Sequence, residues 1–165
     1  KYRRDVSIMG EIPVLEHRGL RLAQSGVILD YLAETTGHFG ARDDAERREI
    51  WRWILFDNHK FTSYLATLRF LVGIQKSDDH RVIEFLQGRV KGAFGVANEH
   101  LKTHSFMLGE RPTIADLSMV GYLYYPEQTG IERSAFPHLE AWVQRISNLP
   151  RWQPPYALMP RGLVN

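Results

Sequence analysis

The sequence has no cysteine among its 165 residues, which excludes disulfides and thiolate–zinc sites within this chain and is compatible with a reducing compartment. It has no apolar run near the roughly 18 to 20 residues that cross a bilayer, so no membrane-spanning helix is expected. It has little surplus charge: 21 Lys and Arg against 19 Asp and Glu give a formal +2, with no basic block. Nucleic acid and membrane surfaces are therefore not expected as partners. There is no Gly-rich phosphate loop, no H-E-x-x-H and no G-x-S-x-G elbow. The opening Lys1-Tyr2-Arg3-Arg4-Asp5 has no Met and no apolar region after it, so it is not a signal peptide. It reads as entering strand-like sequence directly, as a chain shortened upstream would.

What is present divides in two. Ile12 to Leu15 is a short apolar run, His17-Arg18-Gly19 supplies a turn, and Leu20-Arg21-Leu22 alternates as a strand does. Ser25 opens a segment with Val27, Ile28, Tyr31 and Leu32 at helical spacing, stopping at Gly37. The polar, Gly-containing stretch 37–44 reads as a linker. Beyond it, Asp43 or Asp44 can cap a helix with Ile50, Ile54, Phe61, Leu65, Leu68 and Val72 on one face, over about thirty residues. Ser77-Asp78-Asp79 breaks it. A second helix carries Val82, Leu86, Val90, Phe94, Ala97 and Leu101. A third, Thr113 to Tyr125, is apolar on nearly every side, and a fourth starts at Pro137 with Leu139, Trp142, Val143 and Ile146 inward. The Pro-containing tail, 151–165, is expected along the surface.

Four local patterns bear on chemistry. The first is Ile12-Pro13 with Gln24-Ser25, joined by a tight hairpin. Pro13 suits the start of a strand, where no ladder N–H is required. A cis bond there would turn the Ile12 backbone outward, free to pair with an extended peptide. Ser25 at a helix start, with unpaired N–H groups and the positive helix end, suits a carboxylate. An edge-strand proline and an ordinary helix cap are the plainer account of each residue alone; as a set they suggest a grip on a small anionic peptide. The second pattern, Thr113-Ile114-Ala115-Asp116, is a capping box with Asp for the usual Glu or Gln, structural and not catalytic. The third, Phe56-Asp57-Asn58-His59-Lys60-Phe61, places His59 and Lys60 off the core face that Phe61 marks. They are either solvated residues or cations facing a cleft. The fourth, Phe136-Pro137-His138-Leu139-Glu140-Ala141-Trp142, is a packing motif.

These stretches resemble the cytosolic glutathione S-transferases, closest in character to bacterial, beta-class-like members. Met9 to Leu15 and Leu22 to Leu32 are similar to that family's N-P-x-G-x-[VI]-P-V-L followed by [EQ]-S-x-A-I-x-x-Y-L. Thr113 to Asp116 resembles its [ST]-x-A-D, and 136–142 its F-P-x-L-x-x-W. Phe56 to Phe61 partly matches E-L-H-K-x-F, with Asp57-Asn58 in place of Glu-Leu. The resemblance implies an α/β thioredoxin-like N-terminal domain, incomplete in this chain, followed by an all-α helical bundle. The divisions would be 1–36, a linker 37–44, and 45–165. It implies glutathione as co-substrate with no metal, Pro13 as a cis-proline, Ile12 holding the cysteinyl backbone, and Gln24 with Ser25 holding the γ-glutamyl end. Gln24 is neutral, so charge to attract the γ-glutamyl ammonium would have to come from elsewhere. His59 and Lys60 would assist the thiol, while the main thiol-activating Tyr, Ser or Cys would precede Lys1. The family's usual intervening helix has no room near Ser7-Ile8, so either a segment is deleted there or, the preferred reading, residues are missing across a gap.

The activity implied is attack of the glutathione thiol on apolar electrophilic small molecules by a homodimeric cytoplasmic enzyme of detoxification. Glutathione-dependent isomerase, reductase or dehalogenase chemistry, or non-catalytic binding on the same fold, are the alternatives.

Overall fold

The structure, a computed structural model, describes residues 1–125 and 129–159. The only paired strands among them are β1 (Val14–His17) and β2 (Leu20–Ala23), an antiparallel hairpin in register from Val14 opposite Ala23 to His17 opposite Leu20. Arg18 and Gly19 turn the chain with φ of 50° and 81°. Two successive positive φ values match the right-handed twist of the flanking strands, and Gly19 bears its value without a Cβ to resist it.

The first residues depart from the strand-like expectation. Tyr2–Asp5 form a single helical turn, α1. A further turn follows, in which the Gly10 N–H donates to the Ser7 carbonyl (2.9 Å) and delivers the chain to Glu11 and Ile12.

Helix α2 (Ser25–Thr36) ends where the reading of Gly37 put it, in a left-handed C-cap with φ 72°. The stretch after it is pinned at both ends. The Phe39 carbonyl accepts from the Ile114 N–H (2.9 Å), and the Gly40 carbonyl accepts from Arg111 (3.0 Å), whose guanidinium also pairs with Glu46. Asp43, not Asp44, caps α3 (Asp44–Phe56), its carboxylate accepting from the Glu46 N–H at 2.8 Å.

The long helix is not uniform. Between α3 and α4 (Thr62–Arg69) lies a π turn, Asp57–Phe61, and a second, Phe70–Gln75, closes the run before Lys76 takes a left-handed φ of 56°. Seven residues separate the buried Ile54 and Phe61, and the position between them on the inner side is Asp57, buried and polar. A widened turn accommodates that carboxylate: Asp57 accepts from the Thr62 N–H (3.2 Å) and from the Ser118 hydroxyl (2.6 Å).

Helix α5 (His80–His100) buries Leu86, Val90, Ala93, Phe94 and Ala97, with Leu101 buried just past its end. Val82, read as inward, is exposed in the first turn, beyond the reach of the core. Helix α6 (Ile114–Val120) is shorter than its apolar run, because the chain tightens to a 3₁₀ turn over Gly121–Tyr124. It is the central element: Ile114, Ala115, Asp116, Met119 and Val120 are all buried, and both α2 and α3 pack on it. Helix α7 (Pro137–Ser147) begins with Pro137 in its first turn and buries Leu139, Trp142, Val143 and Ile146. A short α8 (Pro155–Leu158) follows, and the rest of the tail, 160–165, lies outside the described residues. The core is one continuous apolar body, with Phe61, Phe94 and Trp142 among its largest buried side chains. No helix among the described residues is long and apolar enough to cross a membrane.

Candidate functional site

The hairpin brings together the four residues that the sequence marked as a set. The Val14–Ala23 pair is the open end of the ladder, so Ile12-Pro13 enters β1 beside the point where Gln24-Ser25 leaves β2. The Ile12–Pro13 peptide bond is cis. Ile12 is 83% exposed, and neither its N–H nor its carbonyl has a hydrogen-bond partner among the described residues. An exposed donor and acceptor on one residue is the arrangement that pairs with a peptide backbone. Just upstream, the Glu11 carbonyl accepts from the Tyr2 hydroxyl (2.9 Å), which ties the loop to α1.

The helix start differs in register from an ordinary serine cap. Gln24 occupies the cap position with φ 70°, and Ser25 is the first helical residue. No side chain caps α2, and the partly buried Ser25 hydroxyl has no partner among the described residues. The first N–H groups of a twelve-residue helix are thus left for an outside acceptor, with a free hydroxyl beside them. The first turn of α2 is fixed by close packing: a Cβ on Gly26 would stand 3.0 Å from Ile54 Cγ2 of α3.

One residue here was not singled out from the sequence. The Glu11 carboxylate accepts from Gln24 Nε2 at 2.6 Å, and that same Nε2 lies 3.1 Å from Met9 Sδ. The signal available in the sequence was indirect: a neutral Gln24 leaves a charge wanting, and an acidic residue stands two positions before the proline.

Among the described residues no hydrogen bond or ion pair joins His59 or Lys60 to this group. Both are exposed in the π turn between α3 and α4, without hydrogen-bond or ion-pair partners for their side chains among the described residues. Lys60 lines a groove of about 220 Å³ against α5, beside Phe56, Tyr64 and Arg89.

Thr113 and Asp116 form the capping box expected of them. Asp116 Oδ2 accepts from the Thr113 N–H (2.8 Å) and hydroxyl (3.1 Å), while Thr113 Oγ1 accepts from the Ala115 N–H (3.3 Å). The sequence did not show the other half. Asp116 Oδ1 also accepts from the Met107 N–H (2.8 Å) and from Trp142 Nε1 (2.9 Å). Burial pushes this carboxyl up from its ordinary value, and these bonds pull it back. All of its bonds are internal, so it presents nothing to a substrate. Among the described residues no cluster of His, Asp and Glu could hold a metal ion.

Residues 61–150 match the glutathione S-transferase C-terminal domain and residues 2–34 the glutathione S-transferase N-terminal domain. The chain belongs to the glutathione S-transferase family. A maleylacetoacetate isomerase of Rhizobium meliloti is 32% identical over 152 residues, covering 87% of this chain and 71% of its own length. A glutathione S-transferase of the marsupial Antechinus stuartii is 30% identical, covering 91% and 67%. Among solved structures, a glutathione S-transferase from Pseudomonas fluorescens superposes with a TM-score of 0.84 at 28% identity, over 90% of this chain and 75% of that one. A theta-class glutathione S-transferase from Xanthomonas axonopodis pv. citri with glutathione bound gives 0.81 at 26%, over 90% and 73%.

Proposed function

We propose that this transferase-family chain holds glutathione on the hairpin and the start of α2, and activates its thiol for attack on electrophilic small molecules. The carrying observation is the convergence of the exposed, unpaired Ile12 backbone with the free Ser25 hydroxyl at an uncapped helix N-terminus. In this reading Ile12 pairs with the cysteinyl backbone, Pro13 shapes the strand entry, and Gln24 with Ser25 receives the γ-glutamyl end. His59 and Lys60 are the assisting cations, acting by favouring the thiolate, the nucleophilic form of a thiol.

The resemblance also supports a division at 1–36, 37–44 and 45–165, a cytoplasmic location and a homodimer. Exposed Leu55 on α3 and Phe85 and Val96 on α5 are compatible with pairing of two copies. A second reading, glutathione-dependent isomerisation, is favoured by the Rhizobium relative, which carries that name.

Calorimetry with glutathione tests the site. Binding by the wild-type protein, weakened by about 1–3 kcal/mol in Ser25→Ala, is the expected result for loss of a hydrogen bond to a charged group. Unchanged affinity in that variant would remove Ser25 from the site. Conjugation of glutathione to chlorodinitrobenzene, measured beside cis–trans isomerisation of a maleyl-type substrate, separates the two activities.

A further inference from the structure

The neutral residue before Ser25 leaves a question of charge that the geometry answers within the same chain. Gln24 Nε2 must be the end that faces Glu11, because an amide oxygen 2.6 Å from a carboxylate oxygen would be repelled. With Nε2 directed to Glu11 Oε2 and to Met9 Sδ, the donors of the amide are engaged. The group it has left to offer is Oε1, an acceptor. Glu11 itself is exposed, and its other carboxylate oxygen has no partner among the described residues. No lysine, arginine or histidine among the described residues forms an ion pair with it.

The two sides of the junction are therefore opposite in character. Glu11 and Gln24 present acceptors and one full negative charge. Ser25 and the first turn of α2 present donors and the positive helix end. A group that fits both at once carries an ammonium and a carboxylate on one carbon, the free α-amino-acid end of a peptide.

We propose that Glu11 is the ammonium-binding residue of this site, supplying the charge that Gln24 lacks, with Gln24 Oε1 as the second acceptor. Glu11 then selects ligands with a free α-amino group over deaminated or N-acylated ones. The proposal rests on the glutathione reading of the site and adds a residue to it. Because the pair is solvent-exposed, its contribution is of the modest size and salt sensitivity of surface ion pairs.

The test compares glutathione with glutaryl-cysteinyl-glycine, the same tripeptide without its amino group, by calorimetry on wild type, Glu11→Gln and Glu11→Ala. Wild type should prefer glutathione. Both variants should lose about three- to fivefold in glutathione affinity while changing by less than about twofold toward the deamino peptide. Added salt should shrink the wild-type preference and leave the variants unmoved. Equal losses for both peptides in both variants would make Glu11 a support for the loop, overturning the proposal, as would unchanged glutathione affinity. Wild type binding both peptides equally would overturn the role of Glu11 while leaving the glutathione site in place. Wild type binding neither would remove the glutathione reading itself, and this proposal with it.

Discussion

Asp57 and Asp116 are buried carboxylates a few ångströms from helix backbones, and neither faces a cleft. Burial pushes both above the ordinary carboxylate range, with hydrogen bonds acting against it. Asp116→Asn replaces one oxygen by a donor facing donors, so it should cost about 1–3 kcal/mol for each bond lost, seen as a lower denaturant midpoint. Glutathione affinity of the folded variant should stay at the wild-type value. For Asp57 the raised value means that ionisation opposes folding, so its contribution weakens as pH rises through the carboxyl range. Asp57→Asn should accordingly be tolerated better at neutral pH than Asp57→Ala, which strands the Ser118 hydroxyl. At the exposed end of the scale, His59→Ala should lower turnover more than glutathione affinity. Normal turnover at every pH would return His59 to the solvent.

Helix α2 depends on a glycine more than on its own propensity. Its first turn lies on Ile54 and Trp51 of α3, with the 3.0 Å approach at Gly26 leaving no room for a branched side chain. Gly26→Val should destabilise by about 1–3 kcal/mol through overpacking. It should also weaken glutathione binding, because Ser25 moves with the turn; Gly37→Ala, at the far end of the helix, should not. The long helix makes a related point. Its apolar period was readable from Ile50 to Leu68, and its ends were marked by Asp43 and by Ser77-Asp78-Asp79. The π turns were not, because a widened turn follows from what Asp57 and Thr62 bond to, and Ser118 lies 61 residues away from Asp57.

Over the whole molecule, the histidine contribution to the pH response comes from His100, at the end of α5, and runs opposite in sign to that of Asp57 and Asp116. The His100 ring lies between Trp53 (centroids 4.6 Å) and His104 (4.2 Å, stacked), and its Nε2 bonds the Met107 carbonyl at 3.0 Å. Burial holds it below the ordinary histidine value, assisted by repulsion from His104 and Arg52; the Met107 bond and Asp116 act the other way. A lowered folded value means that the unfolded chain binds the proton more readily. Stability is then full above about pH 6.5 and falls as the pH drops below it. Denaturant titrations at pH 7.5 and 5.5 should show this fall, and His100→Gln should flatten it. Sedimentation should find a dimer; a monomer at micromolar concentration would remove the homodimer from the proposal.

The sequence alone determined the hairpin, the helix faces, the capping box and the grouping of Ile12, Pro13, Gln24 and Ser25. All of these follow from short-range spacing and turn chemistry. Only the tertiary structure decided what meets across distance: Asp116 with Met107 and Trp142, Asp57 with Ser118, Gly26 with Ile54. The junction proposed to hold a peptide stands between these classes. Ile12, Pro13, Gln24 and Ser25 could be named in advance as a group, but Glu11 and the polarity it brings could not. Charge at that site depends on where the Glu11 carboxylate folds back to meet Gln24, thirteen residues on, and a contact of that kind is fixed by loop geometry and not by periodicity.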